Sequence, residues 1–380
     1  MRKTSQQMIL MRLVYSIFKS FVLIFVNIYL WKTGKDIKVV AIFNICNYIA
    51  AFFSFYIANR IAMKNMKLNY LFSSLSFISL FVLTVILGDH ISRYAMMIGI
   101  LGGFGDGLFF FNLNVFQAGQ LSRDDGDQFM SVMGIVTKIS AIITPFISGL
   151  IIEKYGFLNM VYVLIILLLF QIGNALMLPS SKINTVAKIN FNNIIDNNSF
   201  KRLLMTNTTH SPYGEFTIMV NSVFLYSFAK SESLMGVLNS SFAISSIILY
   251  YVYIKVQKKV KRKKLMFIGA ISLVFSILLL YKPSFLTFIL FGLTISIGDA
   301  FFNKPLVGIQ LYTCRKYSKE EDEMLGNLLT RVFLLTTGRS LFYIMIYFFF
   351  IDYSSLIFKI FIIYNVCIPF INYNLCREEI

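Results

Sequence analysis

Uninterrupted apolar runs follow one another along nearly the whole chain of 380 residues. An α-helix needs about 20 mainly apolar residues to cross roughly 30 Å of hydrocarbon. By that length the runs predict twelve transmembrane helices, near residues 8–31, 38–58, 68–88, 93–116, 128–151, 158–178, 202–228, 233–254, 265–281, 284–311, 324–349 and 355–374. Short polar breaks separate them, such as 32–36, 59–67, 122–127, 255–264 and 315–323. A membrane β-barrel would instead alternate apolar and polar residues in segments of about ten. With 57% hydrophobic and 14% charged residues, the chain has more apolar surface than one soluble core can hide. That excludes disorder, a secreted disulfide scaffold and a soluble enzyme. The expected fold class is an all-α membrane protein.

The net charge of +17 does not point to nucleic acid, because the basic residues form short clusters between apolar runs rather than a basic, aromatic-interleaved surface. They report orientation instead. With the N-terminus inside, twenty-one Lys and Arg fall in inner segments and seven in outer loops. This positive-inside pattern places both termini in the cytoplasm of a multi-pass cell-membrane protein, and KKVKRKK (258–264) serves it as a topogenic signal. The basic start before an apolar run resembles a signal peptide, but the run continues to Trp31 without a small-residue cleavage site, so an uncleaved first helix is expected. Trp31, the only Trp, falls at its outer end, where indole rings favour the interface. The four Cys have no metal spacing, and neither a metal nor another cofactor is expected.

The chain repeats itself. The polar segment 179–201 divides it into 1–178 and 202–380, with six expected helices on each side. At an offset of 193, GFGDGLFFFNLNVFQ (103–117) lies over SIGDAFFNKPLVGIQ (296–310), matching Gly105 with Gly298, Asp106 with Asp299 and Gln117 with Gln310. Arg123 then meets Lys316, Asp127 meets Glu320, and Lys138 meets Arg331. At an offset of 194, Asn27 falls on Asn221. Apolar coincidences are cheap in such a composition; matched acids, amides and bases are not.

Two parallel six-helix halves with a cytoplasmic connector resemble the major facilitator superfamily of secondary transporters. The loop IANRIAMKNMK (57–67) looks like a degenerate form of that family's loop 2–3 signature, with Asn59 where Asp is usual, Arg60 retained and Lys64 downstream. TPFISG (144–149) keeps Pro145 and Gly149 of the antiporter motif in helix five. The stretch from Asn114 to Tyr155 looks like uncharacterised facilitator proteins of Gram-positive bacteria. The resemblance implies two pseudo-symmetric six-helix bundles. Helices 1, 4, 7 and 10 would line a central cavity, 2, 5, 8 and 11 would form the interface, and 3, 6, 9 and 12 would face lipid.

Ionisable groups inside a bilayer cost about 2.5–3.5 kcal/mol each and mark function by default. Ten lie within the expected spans: Arg12, Lys19, Asp106, Lys138, Glu215, Asp299, Lys304, Arg331, Arg339 and Lys359. The repeat predicts two equivalent ion pairs, Asp106–Lys138 and Asp299–Arg331, either pinning helices or switching during transport. Lys19, Lys304 and Arg339 are then left as unpaired bases. In TNTTHSPYGE (206–215), Pro212 and Gly214 predict a broken helix. This makes His210 and Glu215 candidates for substrate or coupling-ion contact, together with Asn27 and Asn221. GGFGDG (102–107) has no strand before it and reads as tight helix packing through small residues. RDDGDQ (123–128) lacks calcium-loop spacing; with KEEDE (319–323) it forms either solvated charge or a latch onto the basic loops at 60–67 and 255–264.

The expected function is alternating-access transport, with protons as coupling ion and efflux of a small anionic, zwitterionic or amphiphilic solute. The expected partners are the lipid bilayer, the solute and protons, with no nucleic acid, and the expected state is a monomer. A lipid or glycolipid flippase on the same scaffold is the alternative. A membrane-embedded lipid-linked polymerase or transferase fits less well, since the two histidines are far apart and the outer loops are short.

Overall fold

The computed structural model describes residues 3–119, 123–257, 259–350 and 356–378. Helices α1 (Lys3–Phe21) and α2 (Asn27–Gly34) run together through a π-helical turn at Val22–Val26. Next come α3 (Ile37–Lys64), then α4 (Met66–Leu87) and α5 (Ala95–Gly119) joined by a 3-10 segment, α6 (Arg123–Tyr155) and α7 (Phe157–Met177). A short α8 (Phe191–Asp196) precedes α9 (Asn198–Met219), which continues into α10 (Leu225–Ala229) through a second π turn at Val220–Phe224. Then follow α11 (Glu232–Val256) and α12 (Arg262–Leu278). Helices α13 (Phe285–Gly298) and α14 (Lys304–Lys316) are joined by a third π turn at Asp299–Asn303, before α15 (Glu321–Phe349) and α16 (Leu356–Leu375). No strand occurs among the described residues.

Ten helical stretches among the described residues are long and apolar enough to cross a membrane. One of them, Met66–Gln117, holds both α4 and α5, which pack against each other. The α9–α10 run lies outside that set because TNTTHSPYGE lowers its hydropathy. Large apolar side chains such as Phe53, Ile86, Ile166, Leu286 and Ile363 point outward, as on a surface solvated by lipid. The chain is a multi-pass, all-helical membrane protein.

The matched segments place like features at like positions. Lys35 and Lys230 are the only non-glycine residues with positive φ among those described, at 54° and 55°. Each closes the helix before it, donating its N–H to Trp31 O and Tyr226 O at 2.8 Å. Each is followed by an N-cap, Asp36 for α3 and Ser231 for α11. Asn44 Nδ2 donates to Asn27 Oδ1 at 3.2 Å, and Asn239 Nδ2 donates to Asn221 O at 3.3 Å. Glycines seat α5 on α3: a Cβ at Gly103 would lie 1.9 Å from Asn47 O, and one at Gly107 would lie 1.9 Å from Ser54 Oγ.

Pro212 and Gly214 do not break the helix, contrary to the sequence expectation; α9 runs through both. Proline removes a single backbone bond, the one to the carbonyl four residues earlier. That carbonyl, Thr208 O, faces α15, where a Cβ at Gly338 would be 2.4 Å away. Thr208 Oγ1 also donates to Leu334 O at 3.2 Å, so the neighbouring helix supports the interrupted turn. The irregularity falls later, at the π turn 220–224.

The linker crosses from the end of α3 to the start of α15. Ile183 N–H donates to Ala62 O at 3.2 Å, and Lys188 N–H donates to Asp322 O at 3.1 Å. Gly326 accommodates the Lys188 carbonyl, which would lie 1.9 Å from a Cβ there. At the other end of the molecule α6 crosses α11, and the small residues there are again what permits contact. A Cβ at Gly236 would meet Pro145 O at 2.3 Å, and one at Gly149 would meet Glu232 O at 2.6 Å.

Candidate functional site

A cavity of about 320 Å³ lies between α1, α3 and α5 on one side and α14 and α15 on the other, with α6 along its edge. Its walls run from Tyr48, Asp106 and Arg339 to Gln117, Met133 and Leu311, which places it toward the linker end. Polar and ionised groups face it in numbers that no apolar core tolerates unless they are partnered.

Asp106, Glu215 and Asp299 are each held by a tyrosine hydroxyl and a base. Asp106 Oδ1 accepts from Tyr15 Oη at 2.5 Å, and its Oδ2 pairs with Lys19 Nζ. Tyr15 and Lys19 are one turn apart on α1 and so share a face, and Tyr15 stacks on Phe109 with centroids 3.9 Å apart. Glu215, only 1% exposed, accepts from Tyr48 Oη at 2.5 Å and pairs with Arg339 Nε at 3.1 Å. Asp299 Oδ2 pairs with Lys138 Nζ at 3.0 Å and accepts from Tyr250 Oη at 2.8 Å. Asp299 opens the third π turn, the kind of helix irregularity that recurs at functional sites.

This pairing corrects the expected one. Asp106 engages Lys19 rather than Lys138, and Asp299 engages Lys138 rather than Arg331. The cause is that α6 packs on α11, so Lys138 reaches the carboxylate of the other matched segment rather than that of its own. Strict symmetry would send Arg331 across to Asp106, which Lys19 and Tyr15 already occupy. Arg331 Nη2 donates instead to Gln310 Oε1 at 3.2 Å. The unpaired bases also change. Lys19 and Arg339 have carboxylate partners, whereas Arg12, Lys304 and Arg331 have none among the described residues.

Of the other expected site residues, Lys304 lines the cavity, while His210, Asn27 and Asn221 do not. His210 stacks on Tyr213, with Asn372 Nδ2 3.2 Å from its Nδ1, and is not brought to Glu215. Asn27 and Asn221 tie adjacent helices, as described above. Asn59 holds the linker, accepting from Ala187 N at 3.1 Å and donating to Thr185 O at 3.3 Å; Arg60 and Lys64 are exposed. Pro145 and Gly149 sit at the α6–α11 crossing. In KEEDE, Asp322 pairs with Lys188 at 3.1 Å and Glu323 accepts from Asn190 at 3.0 Å. Those acids therefore hold the linker, not the basic loops. The side chains of RDDGDQ lie outside the described residues. Sequence reasoning missed Tyr15, Tyr48 and Tyr250. Only the Arg12, Tyr15, Lys19 spacing carried a signal, as one helical face.

No known family profile matches the chain. It is 24% identical over 323 residues to the uncharacterised protein YqgE of Bacillus subtilis (strain 168), covering 83% of this chain and 75% of that one. It is 30% identical over 131 residues to an uncharacterised protein in the sodM 3′ region of Geobacillus stearothermophilus, covering 34% of this chain and 61% of that one. Among solved structures, a D-xylose-proton symporter superposes with a TM-score of 0.72 at 11% identity, covering 99% of this chain and 98% of the symporter. The fold resembles that of major facilitator superfamily transporters. The nucleoside transporter NupG gives a TM-score of 0.69 at 14% identity, over 98% of this chain and 99% of that one. A bacterial homologue of the iron transporter ferroportin in an outward-facing state gives 0.69 at 12%, over 100% and 99%. Three different cargoes on one scaffold fix the fold and leave the solute to the site.

Proposed function

We propose that the chain is a secondary active transporter in the cell membrane that works by alternating access between two six-helix halves, 1–178 and 202–380, with both termini and the linker 179–201 in the cytoplasm. This reading treats α1–α2, α9–α10 and α13–α14 as single spans with π turns inside them, and α4 and α5 as separate spans. The repeated Lys35 and Lys230 turns support it. So do the solved transporters that share the fold.

One observation carries the mechanism: two of the three carboxylates take partners from both halves. Glu215 binds Arg339 of its own half and Tyr48 of the other. Asp299 binds Tyr250 of its own half and Lys138 of the other. Rocking the halves apart takes the Tyr48 hydrogen bond from Glu215 and the Lys138 counter-charge from Asp299, and each loss in low dielectric favours the protonated carboxyl. Glu215, the most enclosed, is the proposed proton carrier; the Asp299–Lys138 pair is the proposed switch. The cavity's surplus of bases favours an anionic solute, and the helix-five motif favours efflux. The unit is a monomer.

The test is independent of the solute. Nitroxide labels are placed at Arg93→Cys/Lys282→Cys, away from the linker, and at Arg60→Cys/Lys259→Cys, near it. The background carries Cys46→Ser and Cys367→Ser. Acidification of the protein in nanodiscs is expected to move the two inter-label distances in opposite senses. Both distances staying fixed across the pH range would remove the alternating-access reading.

A further inference from the structure

Arg12, Lys304 and Arg331 line the same cavity and have no use in the pairing scheme above. Arg12 lies against the rings of Tyr15 and Phe110, at 5.3 and 5.2 Å, and its Nη1 is buried without a hydrogen-bond acceptor. Arg331 is 6% exposed; apart from the bond to Gln310 its guanidinium is unanswered, with Nε buried and unpartnered. Lys304 opens into the cavity and makes no side-chain hydrogen bond or ion pair among the described residues. Its near neighbour Asp299 is already shared by Lys138 and Tyr250. Asp106, the carboxylate that lines the chamber, is engaged by Lys19 and Tyr15, and three cations remain without a carboxylate partner among the described residues.

A buried cation without a counter-ion is costly, and Arg331 is one. With Arg12 partly buried and Lys304 open to the same chamber, the arrangement makes sense when the counter-ion arrives with the ligand. We propose that Arg12, Lys304 and Arg331 form the anchor for a small organic solute carrying two negative charges on carboxylate or phosphate groups. Two guanidinium forks suit such groups, because they bind carboxylate and phosphate oxygens in pairs. A monoanion leaves two cations unanswered, and a zwitterion brings an ammonium against them. The volume, about 320 Å³, is at the small end of ligand pockets, which run from about 300 to 1,000 Å³. It has no room for the acyl chains of a lipid. Asn114, Gln117 and Thr336 offer neutral hydrogen bonds to hydroxyls on the rest of the solute.

The proposal rests on the cavity being the transporter's solute site, but binding tests it without transport. Full-length protein in nanodiscs is melted at constant ionic strength with succinate, glycerol 3-phosphate or inorganic phosphate. Choline and tetraphenylphosphonium serve as cationic comparisons. A saturable rise in Tm is expected with at least one dianion and with neither cation. Arg12→Gln and Arg331→Gln are each expected to weaken the apparent Kd about tenfold or more, the worth of a charge-assisted bond. Lys359→Gln, on the exposed face of α16, leaves it unchanged. A second readout separates anchor from scaffold: without ligand, Arg331→Gln should melt at or above the parent, because it removes an uncompensated charge. Lys304→Gln, at an open position, carries the affinity test if an arginine variant does not fold. Stabilisation by a cation alone, no response to any dianion, or an unchanged response in the variants overturns the proposal. If dianions bind through these residues while both label distances stay fixed, the transporter reading fails and the anion site stands; moving labels with no dianion response mean the reverse.

Discussion

At the scale of single residues, the recurring unit is a carboxylate capped by a phenol and countered by a base. A carboxylate has more acceptor capacity than one ammonium or guanidinium fills, and a tyrosine hydroxyl adds a hydrogen bond without adding charge. Removing one member strands the others, which predicts an asymmetry for the Asp106 trio. Asp106→Asn leaves Lys19, 17% exposed, without a counter-charge and is expected to cost about 3–5 kcal/mol. The double replacement Lys19→Met/Asp106→Leu strands no charge and is expected to recover most of that loss in a thermal melt. A double variant as unstable as the single one would place the energy in the Tyr15 contact instead. Glu215→Gln makes a different prediction. The amide can still accept from Tyr48; Arg339 loses its counter-charge, so stability falls as for Asp106→Asn, and the side chain cannot take up a proton. The pH response of the inter-half distances should vanish while the distances at neutral pH stay measurable, and a response that persisted would exclude Glu215 as the carrier.

At the scale of elements, most expected helix ends fall near the observed ones, because apolar runs and basic breaks report them directly; the largest miss is the end of α3, expected at 58 and found at Lys64. The glycine-seated contact of α5 on α3 was also legible, since GGFGDG has little other use in a helix. The partners of the acids were not. Offset matching identifies equivalent positions, but it cannot say whether Lys138 bonds to the carboxylate of its own matched segment or to that of the other; that depends on how α6 lies on α11. Nor were the π turns legible. VLIFV, VNSVF and DAFFN share no composition that would mark them. The left-handed lysines show the reverse case, a strained element that occurs once after α2 and again after α10. A non-glycine residue in that conformation costs about 1–2 kcal/mol, and glycine relieves it. Lys35→Gly and Lys230→Gly are each expected to add about 1 kcal/mol of stability, read as a higher melting temperature; Lys35→Ala and Lys230→Ala are not.

At the scale of the whole molecule, the cavity lies toward the linker, while the glycine-lined crossing of α6 and α11 lies at the opposite end. There Lys32 pairs with Glu232 at 2.7 Å, but the lysine is 45% exposed, and such surface pairs contribute about 0–1 kcal/mol. Closure at that end therefore depends on backbone approach at Gly149 and Gly236 more than on charge. Gly236 is the sharper probe, since any Cβ there meets the rigid carbonyl of Pro145 at 2.3 Å. If the halves rock as bodies, Gly236→Leu pries this end open and leaves each half intact. The Arg93–Lys282 label distance should then lengthen and the Arg60–Lys259 distance shorten without acidification, as each half turns about the middle. Gly103→Leu makes the contrasting case, because its clash with Asn47 O falls between α5 and α3 inside one half. It should lower thermal stability and leave the ratio of open to closed label distances in the surviving protein unchanged. If both variants merely lost stability, the contact between α6 and α11 would be packing within a fixed body.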